Sequence, residues 1–216
     1  MIHLNVLAEG KTEQQFFNGV LKPHLRRCGV VGKVRLINNC GGWNSYRAAR
    51  RDLLRWARQD PGAWFTTMVD LYALPGDFPP AAATPNPYVR VAELEKAWER
   101  DAAAEGLTRF IAYIQLHEFE ALLFTDPWAL DAQFFDQELA IARLAETAAA
   151  ADNPELINDG PATAPSKRII AAIRQYEGRK ASAGPLTAAL IGLPRLRAAC
   201  RHFNDWVTKL ERLPWL

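Results

Sequence analysis

"VLAEGKTEQQFF", residues 6–17, places a glutamate and a glycine between an apolar run and the start of a helical pattern. The apolar run predicts a buried strand, and the apolar residues that follow recur on one side of a helix. Thr12 and Gln15 have the spacing of a capping box, and Gly29 is a suitable helix stop. Glu9 therefore lies where the first strand meets the first helix.

The same alternation of strand and helix continues along the chain. "KVRLINN" and "WFTTMVDLY" read as strands, an arginine-rich helix lies between them, and "YVRVAELEKAWERDAAAEG" reads as a third helix. "RFIAYIQLHEFEALLF" begins as a fourth strand. We predict an α/β fold with a mostly parallel four-stranded sheet flanked by helices over residues 1–125, and a helical C-terminal extension over residues 126–216.

Composition excludes several classes of protein. With 49% hydrophobic and 23% charged residues, the chain is typical of globular proteins and not of disordered ones. The sequence has neither a signal-peptide pattern nor an apolar run of the ~18 residues that a spanning helix needs. Cys28, Cys40 and Cys200 form no C-x-x-C pair, which argues against a disulfide framework and a structural zinc site. We expect a cytoplasmic protein without a membrane segment.

The net charge of +2 hides an asymmetry. Residues 165–216 hold 10 Lys or Arg against 3 Asp or Glu, whereas residues 1–164 hold 16 against 21. The basic C-terminal quarter predicts either an anion-binding region beside an acidic one or a solvated basic surface.

Carboxylates lie at the ends of the predicted strands. Glu9 ends the first strand and Asp70 lies near the end of the third, and carboxyl ends of parallel strands meet at one sheet edge. In a strand, Glu118 and Glu120 share a face. These oxygen donors predict an Mg²⁺ or Mn²⁺ site, to which His117 could add a ligand. A surface position or an arginine partner is the alternative for Glu9.

Cations near this edge are candidates for phosphate binding. Ser166 is a suitable cap for a helix whose first turn holds Lys167 and Arg168, where the helix dipole disfavours positive charge. That conflict predicts a counter-anion, either a phosphate at the helix N-terminus or one of the carboxylates described above. Lys11, directly after Gly10, is a further candidate.

The second helix carries a row of arginines, and its opposite side is apolar. Such a row can follow a phosphate backbone, although a solvated helix face is its more usual meaning. The functional interpretation requires the row to adjoin the carboxylates. Its members are Arg47, Arg51, Arg55 and Arg58, with Arg50 adjacent.

"VLAEGKTEQQFF" followed by "TTMVDLY" resembles the Toprim domain, the metal-binding module of topoisomerases, DnaG-type primases and OLD-family nucleases. "DLYALPGDFP", "LHEFEALLF" and "APSKRI" are similar to signatures of a group of small Toprim-like proteins encoded beside ATPases. By this resemblance Glu9 matches the Toprim glutamate, and Asp70 matches the first aspartate of its D-x-D motif. Tyr72 stands where the second aspartate is expected, and a protonated phenol is not an ordinary Mg²⁺ ligand. Either Glu118 or Glu120 replaces that ligand, or the site is degenerate.

The leading hypothesis is a metal-dependent phosphodiesterase, a nuclease acting on nucleic acid, with DNA preferred over RNA. Asp70, Glu118, Glu120 and Glu9 would hold Mg²⁺ or Mn²⁺, and Lys167 would stabilise the transition state. The resemblance gives Glu9 a place in the metal shell or a role in proton transfer.

Two other functions compete with a nuclease. One is a catalytically degenerate Toprim-like regulatory subunit of an ATPase, and the other is a small-molecule phosphotransferase or nucleotide hydrolase that uses the same site. The resemblance also implies a role in defence against foreign DNA, with an AAA- or ABC-type ATPase as partner. Assembly of the chain into a homo-oligomer is compatible with each of these functions.

Overall fold

A computed structural model describes residues 1–37, 42–80, 84–158 and 160–214. The N-terminal half alternates strands and helices: β1 (Ile2–Ala8), α1 (Lys11–Phe16), a π-helical turn (Phe17–Leu21), α2 (Lys22–Arg27), β2 (Val30–Leu36), α3 (Tyr46–Gln59), β3 (Trp64–Asp70), α4 (Pro87–Ala104), β4 (Phe110–Ile111) and β5 (Ile114–Gln115). The rest is helical: 3₁₀ segments at Phe119–Thr125 and Pro127–Leu130, then α5 (Glu138–Ala149), α6 (Pro165–Ala172), α7 (Lys180–Ile191), α8 (Leu193–Ala199) and α9 (Arg201–Glu211). No helix within these ranges is long and apolar enough to cross a membrane.

The sheet has the order β2-β1-β3-β4, and β5 also pairs with β3. Every described pairing is parallel, with Leu4 opposite Gly32 across β1 and β2, and Ala8 opposite Met68 across β1 and β3. This arrangement confirms the predicted α/β class with its mostly parallel sheet flanked by helices. The division at residue 125 stays a prediction.

The predicted fourth strand is broken into two short ones. At the break, the Ala112 amide donates to Glu99 and the Tyr113 amide donates to the Thr67 hydroxyl, at 3.0 and 2.8 Å, so side chains replace the strand ladder. The chain then enters a 3₁₀ segment at Phe119. The prediction that strand alternation aligns Glu118 with Glu120 is therefore wrong.

Helices cover the sheet on both sides. On one side, α1 and the C-terminal helices pack against Leu4, Val6 and Met68. On the other side, α3 and α4 pack against Leu7 and Phe65. Alternate residues of β1 and β3 thus enter different cores, as expected of strands that are buried on both faces.

Trp206 of α9 belongs to the first of these cores. Its ring stacks on Tyr113 with centroids 4.1 Å apart, and its indole nitrogen donates to Thr66 of β3 at 2.9 Å. The fully buried Glu155 accepts the amides of His202 and Phe203 at the start of α9, both at 2.9 Å. Trp206 therefore packs in the core, and a buried carboxylate satisfies the helix N-terminus beside it. The final "WL", residues 215–216, lies outside the described residues.

Gly32 of β2 allows the ring of Phe17 to pack directly on the strand. A methyl group at this position would lie 2.4 Å from the Phe17 Cζ atom, and that ring is fully buried. We predict that Gly32→Ala lowers the free energy of unfolding by about 1–3 kcal/mol because the core becomes overpacked. Urea unfolding measures this change.

Gly19 provides the matched control, since a methyl group there meets no atom within 4 Å. Gly19→Ala is expected to leave stability unchanged or to raise it by up to about 1 kcal/mol, because alanine favours helix. Equal losses in the two variants would contradict the packing argument.

Candidate metal centre

Glu9 and Asp70 are brought together by the pairing of β1 with β3. The Asp70 amide donates to Glu9 Oε2 at 2.9 Å. The main chain of Glu9 is also fixed, because its amide donates to Met68 and its carbonyl accepts from Gly42, at 3.0 and 2.8 Å. The carboxylate that ends one strand is thus held at the end of its neighbour, as the sequence predicts.

Glu13 adds a third carboxylate at the start of α1. Gly10 is the N-cap residue, and its amide donates to Glu13 Oε2 at 2.8 Å. The capping box predicted from Thr12 and Gln15 is therefore wrong, since the helix begins two residues earlier. A Cβ at Gly10 would lie 3.2 Å from the same oxygen, so glycine permits this close approach.

Glu118 and Glu120 lie close enough to Glu9 and Asp70 for their charges to raise the pKa of both. The Glu118 carboxylate accepts the Ser166 amide at 2.9 Å, near the start of α6. Glu120 is 2% exposed, and its Oε1 contacts both the Tyr176 hydroxyl and Lys180 Nζ at 3.2 Å. Ser166 does not cap α6, whose N-cap is Ala164. The anion found at this helix N-terminus is the Glu118 carboxylate.

The carboxylates of these five residues form what we call the acidic centre: Glu9, Glu13, Asp70, Glu118 and Glu120. Burial, reinforced by the negative charges of the other members, raises the pKa of Glu9 and of Glu13 to about 7. The same causes raise the pKa of Asp70 well above its usual value. Burial also raises the pKa of Glu120, although Lys180 opposes this shift. The charged forms therefore need a further cation.

The acidic centre fits a hard divalent cation. Asp70 Oδ1 is buried and has no hydrogen-bond partner within the described part of the chain, which is costly unless a ligand binds it. The donors are all oxygen atoms, the type that Mg²⁺ and Mn²⁺ prefer. No three of these carboxylates place one ligand atom each within 4.8 Å of the other two, whereas His24, Cys28 and Glu211, elsewhere in the described structure, do. An octahedral Mg²⁺ holds its ligand atoms no more than about 4.2 Å apart, so direct binding by three of these carboxylates requires their side chains to rotate toward one another, or water ligands to bridge the ion to them.

The structure brings together all four predicted metal ligands and leaves the predicted cations at the periphery. Lys11 and Lys167 are exposed, and Arg168 Nε donates to the Thr163 carbonyl at 2.8 Å. Sequence reasoning missed Glu13, Tyr176 and Lys180. Glu13 stands three residues after Gly10, the spacing of a capping box with glycine as the N-cap, and this spacing could have revealed it.

Lys180 carries no such signal in the sequence. It reaches the acidic centre because α7 packs closely on α1, at Gly184. A Cβ at Gly184 would lie 3.0 Å from the Tyr176 hydroxyl oxygen, so a larger residue would push α7 outward. The contact that positions this lysine is therefore a tertiary one.

Tyr72 and His117 form an aromatic pair next to the acidic centre. Their rings lie 5.5 Å apart, and the Tyr72 amide donates to the His117 carbonyl at 3.2 Å. Burial raises the pKa of the Tyr72 phenol, so it stays protonated, and burial lowers the pKa of His117, which favours its neutral form. His117 has a φ of 61° and a buried Nδ1 without a hydrogen-bond partner among the described residues. A neutral imidazole with an unpaired nitrogen is compatible with a ligand role.

The arginine row of α3 is solvent-exposed, as the sequence predicts. Arg47 lies at the beginning of α3 and Arg58 at its end, and Arg50 pairs with Asp101 and Glu105 of the α4 region. Because α3 returns from the carboxyl edge of the sheet to the opposite edge, the row leads away from the acidic centre. Most of the arginine row is therefore a solvated helix face.

The fold and the acidic centre define an α/β protein with a carboxylate-rich site at the carboxyl edge of a parallel sheet. A family model described as "Domain of unknown function (DUF4276)" matches residues 8–211, and the chain belongs to this family. No curated protein sequence matches the chain.

Among solved structures, the chain is similar to the C-terminal region of the Xanthomonas campestris pv. campestris OLD protein. The structure phased with platinum is 14% identical, with a TM-score of 0.41 and coverage of 96% of this chain and 94% of that one. The structures phased with iodine and mercury are 14% and 15% identical, with TM-scores of 0.39 and 0.40. Each covers 95% of this chain, and 95% and 96% of its own.

The raised pKa values predict that stability falls as pH rises when no metal is present. Between the usual glutamate pKa of 4.5 and the folded-state value of about 7, the folded protein binds more protons than the unfolded one. We expect the melting temperature in EDTA to fall by roughly 3 °C or more from pH 5 to pH 8, and Mg²⁺ or Mn²⁺ to restore it at pH 8. Calorimetry over this pH range measures the effect.

Glu9→Gln is expected to flatten this dependence, whereas Glu146→Gln, at an exposed position, should not. His202 contributes a slope of the same sign: burial lowers its pKa, but the hydrogen bond to Glu95 and the charges of Glu95 and Glu155 together outweigh burial and raise it. The difference between Glu9→Gln and wild type therefore isolates Glu9. An identical pH dependence in both proteins would contradict the assignment.

Proposed function

We propose that the protein is a metal-dependent phosphodiesterase that cleaves nucleic acid, with Mg²⁺ or Mn²⁺ held by Asp70, Glu9, Glu118 and Glu120. The observation that carries this proposal is the buried Oδ1 of Asp70, which has no hydrogen-bond partner among the described residues and belongs to a group of five carboxylates. A divalent ion at this position would offset the repulsion that raises their pKa values. Such an ion supplies Lewis-acid activation of water and neutralises the charge that develops on a phosphate.

Lys180, Glu9 and Glu13 would supply charge stabilisation and proton transfer. Lys180 is half-buried against Glu120, and its pKa is raised because the charges of Glu120 and Glu118 outweigh burial, so it stays positive. It would stabilise negative charge on a phosphate beside the carboxylates. Glu9 and Glu13, with pKa values of about 7, could each hold or release a proton near neutral pH.

The cations at the periphery of the acidic centre would allow it to bind a nucleic-acid strand and not only a single phosphate group. Lys11, Lys167 and Arg168 lie at the starts of α1 and α6, the two helices whose first turns contribute contacts to the acidic centre. They would hold backbone phosphates on either side of the scissile one. We place Lys167 in this role and assign the catalytic cation to Lys180, because Lys180 contacts Glu120 directly.

The Toprim resemblance supports the same proposal. Glu9 and Asp70 occupy the motif positions, and the neutral Tyr72 leaves the second aspartate position without a ligand. Glu118 is the replacement that we propose, since its charge acts on both Glu9 and Asp70. An ATPase partner, a role in defence and a preference for DNA are further parts of the proposal that follow from the resemblance alone.

Cleavage of single- and double-stranded DNA and RNA in the presence of Mg²⁺ or Mn²⁺ tests the proposed activity. We expect Asp70→Asn to lower the cleavage rate by at least 100-fold, because a metal ligand is lost. Asp131→Asn, at an exposed position in the helical part, is the matched control and should cleave as wild type does. Cleavage that survives Asp70→Asn would refute the assignment.

Wild-type protein that binds Mn²⁺ in calorimetry but cleaves none of these substrates would point to a phosphotransferase, a nucleotide hydrolase or an enzyme that a partner activates. Absence of Mn²⁺ binding would favour the degenerate regulatory subunit. The two measurements together therefore separate the three functions.

The two lysines are separable by substitution with methionine, which keeps the length of the side chain. Lys180→Met should lower the rate at saturating metal and substrate by at least 100-fold, because it removes the cation beside Glu120. Lys167→Met should mainly weaken substrate binding and reduce its dependence on salt concentration. Effects of equal size on the maximal rate would contradict this division of roles.

A further inference from the structure

A second group of ligand side chains lies away from the acidic centre, where the end of α2 meets the end of α9. His24 lies in α2, Cys28 follows its last turn, and Glu211 ends α9. One ligand atom from each of the three lies within 4.8 Å of the other two, and within the described ranges no other such group of histidine, cysteine and acidic residues occurs. Cys28 is exposed, so an ion can reach the group from solvent.

The spacing and the donor types match a borderline-soft divalent ion. His24 and Cys28 are four residues apart on a helical turn and therefore lie on the same side. Zn²⁺ binds nitrogen, sulfur and oxygen ligands at ~2.0–2.3 Å, which separates the ligand atoms by roughly 3–4 Å. His24 Nε2 and Glu211 Oε1 are 2.5 Å apart. An ion between them requires each side chain to move by less than about 1 Å.

Arg197 of α8 holds the carboxylate of Glu211 in place. Its guanidinium contacts both Glu211 oxygens, at 2.5 and 3.0 Å, and it is itself fixed by Asn204 and Thr208 of α9. The carboxylate is therefore charged and oriented, which is what a hydrogen-bonded partner of a metal ligand provides.

We propose that His24, Cys28 and Glu211 bind one transition-metal ion of the Zn²⁺ type, with Arg197 orienting the carboxylate and solvent completing the coordination. Binding breaks the hydrogen bond between His24 and Glu211, leaves the proton of the neutral imidazole on Nδ1, and releases the thiol proton of Cys28 to solvent. The ion links α2 to α9, which are separated by most of the chain. This site shares no residue with the acidic centre and needs no C-x-x-C pair.

Co²⁺ is the probe that distinguishes the two sites, because a thiolate ligand gives a charge-transfer absorption band that oxygen ligands do not give. We expect one equivalent of Co²⁺ per chain to produce this band, and Zn²⁺ to abolish it by displacement. His24→Ala should weaken Co²⁺ binding at least tenfold, and Cys28→Ser should remove the band. Glu9→Gln, which alters the acidic centre, should leave the band unchanged.

Cys40→Ser is the thiol control for Cys28→Ser. Cys40 lies outside the described residues, and the third cysteine, Cys200, is buried. Loss of the band in Cys40→Ser, its persistence in Cys28→Ser, or its absence from wild type would each overturn the proposal. Thermal unfolding gives a second readout. Zn²⁺ should raise the melting temperature of wild type in excess Mg²⁺ and should not raise that of Cys28→Ser, whereas equal shifts would refute the site.

Discussion

Repulsion among carboxylates at the edge of a parallel sheet is the constraint on which the rest of this structure depends. Parallel strands end at one edge, so Glu9 and Asp70 meet there whatever their charge. The fold offsets part of the repulsion with main-chain donors: the amides of Asp70, Gly10 and Ser166 each bind one of the carboxylates. The remaining repulsion is the physical reason for proposing a divalent ion at the acidic centre.

The C-terminal helices contribute hydrogen-bond donors and a cation to the acidic centre. They supply the Ser166 amide, the Tyr176 hydroxyl and the Lys180 ammonium group, and they share one hydrophobic core with α1 and one face of the sheet. Gly184 of α7 allows close approach to the Tyr176 hydroxyl and ordinary contact with Thr12 of α1. A catalytic role for Lys180 would thus depend on packing far along the chain from the strand ends.

Prediction from sequence succeeded where a pattern has a local physical cause. Short apolar runs located the first three strands and helical apolar patterns located the helices around them, because strands buried on both faces and helices buried on one side leave these patterns. It failed at the fourth strand, where Glu99 and Thr67 take over main-chain hydrogen bonds. It also failed at the N-cap of α1. The observed capping box is formed by Gly10 and Glu13 and not by Thr12 and Gln15, because the helix starts directly after the end of β1.

By itself, the sequence determined the α/β class with its mostly parallel sheet and the meeting of Glu9 and Asp70 at one edge of that sheet. These follow from local patterns and from a topological rule, so they need no knowledge of distant contacts. Only the tertiary structure decided that Lys180 is the cation at Glu120 and that α2 and α9 bring His24, Cys28 and Glu211 together. Such contacts join residues far apart in the chain, and their geometry is set by the packing of whole helices, which no short stretch of sequence encodes.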